Sequence, residues 1–120
     1  FCRLSGLPKE QVLADPERAA SDFAAQYGCT VVLKGAKTVV TNGARCFALD
    51  CPNSGMAKGG SGDVLAGIIT SFLGQKISPV LAAAAAVYVH GKAGDMCAEE
   101  LGQYGMLPTD MLQVLPRLLK

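Results

Sequence analysis

Residues 53–67 read Asn53-Ser54-Gly55-Met56-Ala57-Lys58-Gly59-Gly60-Ser61-Gly62-Asp63-Val64-Leu65-Ala66-Gly67. Glycines at 59, 60 and 62 let backbone N–H groups turn inward without a Cβ clash. A helix opens at Ser61 or Gly62, and its unpaired N–H groups and dipole make an anion site. A phosphate sits well in such a cradle. Two better-known phosphate loops do not fit. A Walker A loop needs Lys after its second glycine, but Ser61 follows the Gly55/Gly60 pair. A dinucleotide fingerprint built on Gly60 and Gly62 needs glycine at 65, where Leu65 stands.

Asp63 is the unusual residue. A carboxylate beside an anion site repels the anion unless it has a task. Just beyond a phosphate cradle it can take the proton of an attacking hydroxyl. The loop amides would then stabilise charge on the transferred phosphoryl group. The plainer reading is a first-turn helix acid stabilised by the dipole. The residues alone leave both readings open.

Downstream, Val64, Leu65, Ile68, Ile69 and Phe72 carry the helix to its end near Gly74. Ser78-Pro79 opens another helix, which runs through the alanine tract 82–86 towards Glu100. That tract reads as a close helix-packing surface. A last helix runs from Thr109 to the end, with Asp110 in its first turn, and Pro116 bends or shortens it.

Upstream, Asp15-Pro16-Glu17 is a helix start: Asp caps, Pro fits the first turn and Glu meets the dipole. Ala19, Phe23, Ala24 and Tyr27 follow at helical spacing, and Gly28 stops the helix. Thr30-Val31-Val32-Leu33 reads as a buried strand. Thr38–Thr41 and Arg45–Leu49 flank Asn42-Gly43, the preferred type I′ pair, which predicts a β-hairpin. Cys51 to Gly62 is a loop. The order is helix, strand, hairpin, loop and three helices, with no repeat and no linker. This is α/β material with a thin sheet, whose remaining strands are expected upstream. The chain begins at Phe1 and is read as part of a longer one.

The 120 residues make one modest domain. Half are apolar, enough for a core, although many are small alanines. The net charge is +1, without a basic stripe for nucleic acid or a charged block for a disordered tail. The apolar run from Val80 to Val89 falls short of the ~20 residues a membrane span needs. No secretory leader is evident. A soluble, cytoplasmic protein is expected, without nucleic-acid or membrane partners. Cysteines at 2, 29, 46, 51 and 97 include no Cys-x-x-Cys pair, and one histidine is too few for a zinc site with them. They read as reduced, mostly buried thiols, and no protein-held metal is expected.

Gly-Gly-Ser-Gly-Asp followed by Val-Leu-Ala-Gly resembles the Gly-x-Gly-Asp signature of the ribokinase-like superfamily. The longer string from Asn53 to Gly67 is similar to one branch, the ADP/ATP-dependent NAD(P)H-hydrate dehydratases. Val31-Val32-Leu33-Lys34-Gly35-Ala36-Lys37-Thr38 looks like that family's strand and Lys-Gly-x-x-Thr turn. Val87-Tyr88-Val89-His90-Gly91-Lys92-Ala93-Gly94-Asp95 looks like its Tyr-x-His-Gly-x-x-Gly-Asp helix. The three matches follow the family's order over nearly the whole chain.

The resemblance implies the C-terminal, nucleotide-binding part of a three-layer α/β/α ribokinase-like fold, with the upstream part absent. Lys34, Gly35, Ala36, Lys37 and Thr38 would contact the adenine nucleotide, ADP or ATP. Gly62 would donate backbone hydrogen bonds to it, and Gly59, Gly60 and Ser61 would shape the cradle. Asp63 would lie at the hydrated nicotinamide of NAD(P)HX as the base on its hydroxyl. The hydroxyl would be phosphorylated and phosphate would leave, with Mg²⁺ bridging the nucleotide phosphates. The family also suggests a homotetramer.

Other residues have plainer readings. Lys34 also fits a solvated lysine at a strand end. His90 lies among apolar Val87, Tyr88 and Val89, as a satisfied structural histidine does. Asp95 caps or pairs locally, and Met56 packs at the loop. Pro52 departs from the glycine the family carries before the asparagine, and proline cannot take positive φ. Two other functions compete: a ribokinase-like kinase of a small alcohol, such as a thiazole or pyrimidine vitamin precursor, and a non-catalytic nucleotide-binding module. The Lys-Gly-x-x-Thr turn together with Asn-Ser-Gly-Met-Ala favours the dehydratase.

Overall fold

The computed structural model describes residues 1–35, 37–50 and 60–119. By its contacts the chain forms two compact units, Phe1–Asp50 and Cys51–Lys120.

The first unit holds helices α1 (Cys2–Ser5), α2 (Lys9–Ala14) and α3 (Pro16–Tyr27), then strands β1 (Val31–Leu33), β2 (Lys37–Thr41) and β3 (Cys46–Asp50). α3 begins and ends where the local signals put it. The Asp15 carboxylate accepts from the Arg18 N–H at 3.2 Å, and Gly28 closes the helix in the left-handed conformation at φ 62°. α1 and α2 were not expected. The signals available for them were Gly6 after the first, and Pro8 and Glu10 around the start of the second.

The strands form an antiparallel sheet in the order β1-β2-β3. α3 packs on β1 and β2. Its buried residues are Ala19, Ala20 and Ala24, small enough for a close approach, and Val39 and Val40 of β2 and Val12 of α2 are also buried. Thr41 is fully buried at the end of β2. Its Oγ1 accepts from the Gly43 N–H at 3.0 Å and lies 3.1 Å from the Ser21 Oγ of α3.

Two expectations need correction here. The first strand is half-buried along Val31–Leu33 rather than buried, because β1 is an edge of the described sheet and pairs only with β2. The hairpin is present, but its tip lies one residue later than Asn42-Gly43. Thr41 pairs with Cys46, and the Asn42 N–H donates to the Arg45 carbonyl at 3.2 Å, which leaves Gly43-Ala44 at the tip. Only Gly43 has a left-handed φ, at 93°, whereas a type I′ turn on Asn42-Gly43 needs both residues there. The Asn42 Oδ1 instead accepts from the N–H groups of Ala44 and Arg45 at 3.0 and 2.8 Å, an Asx-type closure.

The second unit holds α4 (Ser61–Gly74), α5 (Pro79–Leu101) and α6 (Asp110–Leu118). α5 packs against both of the others. The alanine tract behaves as a packing surface at Ala82, Ala83 and Ala86, which are buried. Near the far end of α5, Ala93 and Cys97 form a core cluster with Met106, Met111 and Val114. Arg117 of α6 reaches Glu100 of α5 at 2.7 Å. α6 runs through Pro116 to Leu118, so that proline does not end it. Asp110 folds back to accept the Leu107 N–H at 2.7 Å. Asp95 lies exposed in the middle of α5 and caps neither end, which leaves local pairing of the two roles expected for it.

The cysteines are less buried than expected. Of the four described, Cys97 is buried, Cys2 half-buried, and Cys29 and Cys46 exposed. Among the described residues no helix is long and apolar enough to cross a membrane.

Candidate nucleotide and phosphoryl-transfer site

The predicted residues fall on two turns, one in each unit. In the first unit, Lys34 and Gly35 follow β1, and Lys37 opens β2 opposite Asp50 of β3. Lys34, Gly35 and Lys37 are exposed. Thr38 is buried, and its Oγ1 donates to the Gly35 carbonyl at 3.3 Å, which ties the two ends of the turn together. Ala36 lies outside the described residues, as do Pro52, Met56 and Gly59.

In the second unit Gly60 is the N-cap of α4, with φ 97° and ψ −18°. A Cβ here would stand 3.6 Å from the Pro108 ring, an ordinary contact, so the backbone conformation rather than space calls for glycine. The first helical hydrogen bond runs from the Val64 N–H to the Gly60 carbonyl at 3.2 Å. The N–H groups of Ser61, Gly62 and Asp63 therefore precede the helical ladder, at the positive end of the dipole. Among the described residues no side chain caps this end. Three amides so placed could receive an anion, as the glycine pattern predicts.

Successive residues of a helix turn by about 100°, so Ser61 and Asp63 point to roughly opposite sides. Ser61 is turned inward and buried, while Asp63 is exposed. Asp63 also stands at one end of an apolar groove of about 450 Å³ between α4 and α6, lined by Val64, Phe72, Leu112, Leu115 and Leu119.

His90, on α5, is buried, as expected of a structural histidine, but its partner belongs to the predicted cradle. Nε2 lies 3.0 Å from the Ser61 carbonyl oxygen and 3.3 Å from its Oγ. A carbonyl oxygen only accepts, so the 3.0 Å contact is a hydrogen bond when Nε2 carries the proton. No spacing in the sequence points to this pair, which is 29 residues apart.

A model of the NAD(P)H-hydrate dehydratase family matches residues 1–117. The chain belongs to this family. Among its relatives, the bifunctional NAD(P)H-hydrate repair enzyme of Escherichia coli is 44% identical over 117 residues, covering 97% of this chain and 23% of the relative. The ADP-dependent (S)-NAD(P)H-hydrate dehydratase of Enterococcus faecalis is 41% identical and covers 98% and 39%. Among solved structures, an ADP/ATP-dependent NAD(P)H-hydrate dehydratase from Bacillus subtilis, co-crystallised with ATP and Mg²⁺, superposes with TM-score 0.90 at 32% identity over 99% of this chain and 43% of that one. A ribokinase-like superfamily protein from Enterococcus faecalis gives 0.78 at 41% identity, over 98% and 39%. The fold is thus the ribokinase-like dehydratase fold. The chain spans less than half the length of these relatives and structures.

Proposed function

We propose that these residues are the C-terminal, nucleotide-binding part of a single ribokinase-like domain. The protein containing them dehydrates the hydrated nicotinamide of (6S)-NAD(P)HX to NAD(P)H at the expense of ADP or ATP. The observation that carries this reading is the family match from residue 1 to 117. The left-handed Gly60, the free first-turn amides and the outward Asp63 supply the parts such a reaction needs.

In this reading Lys34, Gly35, Ala36, Lys37 and Thr38 hold the adenine nucleotide. Gly62 donates its N–H to the phosphates, and Gly59, Gly60 and Ser61 shape the cradle. Asp63 takes the proton from the C6 hydroxyl of the hydrate as that oxygen attacks the terminal phosphorus of the nucleotide. AMP leaves from ADP, or ADP from ATP, and the amides of the α4 start meet charge on the phosphoryl group. The C6 phosphate ester then loses phosphate, and a proton leaves C5 to restore the ring double bond. The atoms balance as hydrate plus ADP giving NAD(P)H, AMP and phosphate.

Magnesium fits as a companion of the nucleotide. Among the described residues no three His, Cys, Asp or Glu side chains cluster to hold a metal, and Mg²⁺ is commonly bound by phosphates with few protein ligands. When bound, it would neutralise phosphate charge. We further propose a cytoplasmic homotetramer, acting on small molecules in metabolite repair.

The test is an assay of the full-length protein with hydrated NADH, Mg²⁺ and either ADP or ATP, following NADH and phosphate together. Equal yields of both with one nucleotide support the reading and identify the donor. Nucleotide binding without either product overturns it.

A further inference from the structure

We infer that His90 is a positioning residue of the phosphoryl-transfer site, aiming the Gly62 amide and the Asp63 carboxylate through its hydrogen bond to the Ser61 carbonyl. This rests on the function proposed above. Helix starts fray unless something holds them, and α4 begins behind a glycine, with no side-chain cap among the described residues. His90 supplies a restraint from another helix. It is 5% exposed and Ser61 2%, so the bond between them is shielded from water. The Ser61 carbonyl has two lone pairs. One serves the helical ladder and the other takes the imidazole N–H.

Holding Ser61 has a geometric effect at Asp63. Two residues on, the chain has turned by about 200°, so the inward anchor at Ser61 fixes the outward direction of Asp63. Gly62, between them, has no side chain to hold its amide in place. A small rotation of this first turn would shift the amide and carboxylate together, and misplacements of about 1 Å cost on the order of 10²-fold in rate. A buried apolar side chain would fill the same volume without directing anything. An imidazole buried there needs partners, and its Nε2 meets the first residue of the cradle.

The experiment compares His90→Leu and His90→Gln with wild type in the full-length protein. The Gln variant keeps an N–H donor and the Leu variant does not. The Leu variant is expected to lose roughly 10–100-fold in kcat, with a smaller change in KM for the nucleotide, and the Gln variant to recover most of the loss. Equal losses in both, or wild-type kinetics in the Leu variant, overturn the inference. Amide exchange gives a readout free of turnover. Protection at Val64 and Leu65 should fall about tenfold in the Leu variant relative to Ala93 and Cys97, as expected for one buried hydrogen bond. Unchanged protection also overturns the inference. Should the Leu variant fail to fold, imidazole ¹⁵N shifts of the wild type decide: an Nε2–H tautomer is required, and an Nδ1–H tautomer overturns the inference. A wild type that cannot dehydrate the hydrate would sink the proposed function while leaving the exchange and tautomer results standing.

Discussion

The hydroxyls of Ser21 on α3 and Thr41 at the end of β2 meet at 3.1 Å, and Thr41 also receives the Gly43 N–H at 3.0 Å. One buried hydroxyl thus joins helix, strand and hairpin tip. Thr41→Val keeps the shape and removes both bonds. It should cost about 1–3 kcal/mol, because a backbone N–H and a serine are left without their partner. Urea denaturation is the check, and an unchanged midpoint would show that water replaces the lost hydroxyl.

Gly43 has φ 93°, and a Cβ there would stand 3.0 Å from Ala25 of α3. Strain and crowding act together. Gly43→Ala should destabilise by about 1–3 kcal/mol. Ala44→Gly, at the other tip position, should cost well under 1 kcal/mol. Thermal melts of the two variants would expose the contrast, and similar melts would place the constraint elsewhere.

Asp63 distinguishes the two readings left open by the residues. As a base on the substrate hydroxyl, Asp63→Asn should lower kcat by about 10²–10⁴-fold with little change in melting. As a mere first-turn acid it would cost about 0.3–1 kcal/mol of stability and leave turnover alone. Steady-state kinetics of the full-length variant separates the cases.

Burial pushes the Cys97 thiol above its ordinary value, helped by the nearby Asp110 and Glu100 and opposed by Arg117. The folded chain therefore binds this proton more tightly than the unfolded one. The resulting stability is complete below the ordinary thiol range, near about 8.5, and is lost as pH rises through the raised value. Urea midpoints should fall between pH 8 and 10 in wild type and fall less in Cys97→Ala. In the same protein, iodoacetamide should label Cys29 and Cys46 well before Cys97.

Glu100 and Arg117 join α5 to α6 at 2.7 Å, yet both side chains are about half exposed. A double-mutant cycle should give a coupling of only about 0.2–1 kcal/mol, shrinking in 1 M salt. A coupling above that range, insensitive to salt, would mean the pair is more shielded than its exposure implies.

How far the sequence could be read depended on the range of each interaction. α3 was legible because Asp15, Pro16 and Gly28 act within a turn of where they stand. The tip of the hairpin was misplaced by one residue because Asn42 has two local options, a left-handed backbone or a side-chain closure, and takes the second. The order of the cradle residues was visible because they are consecutive. The partner of His90 was not, since it depends on how α5 packs against α4. The short helices α1 and α2 carry only a turn or so of pattern each, too little for periodicity to register.

α5 also sets a limit on insertions and deletions. Ala82, Ala86 and His90 recur every fourth residue on its buried side. Removing one residue between them would swing everything beyond it by about 100° and carry the imidazole away from Ser61. Insertions should therefore collect at residues 75–78 and 102–109, outside the helices, while the count from Ala82 to His90 stays constant however freely the outer face changes.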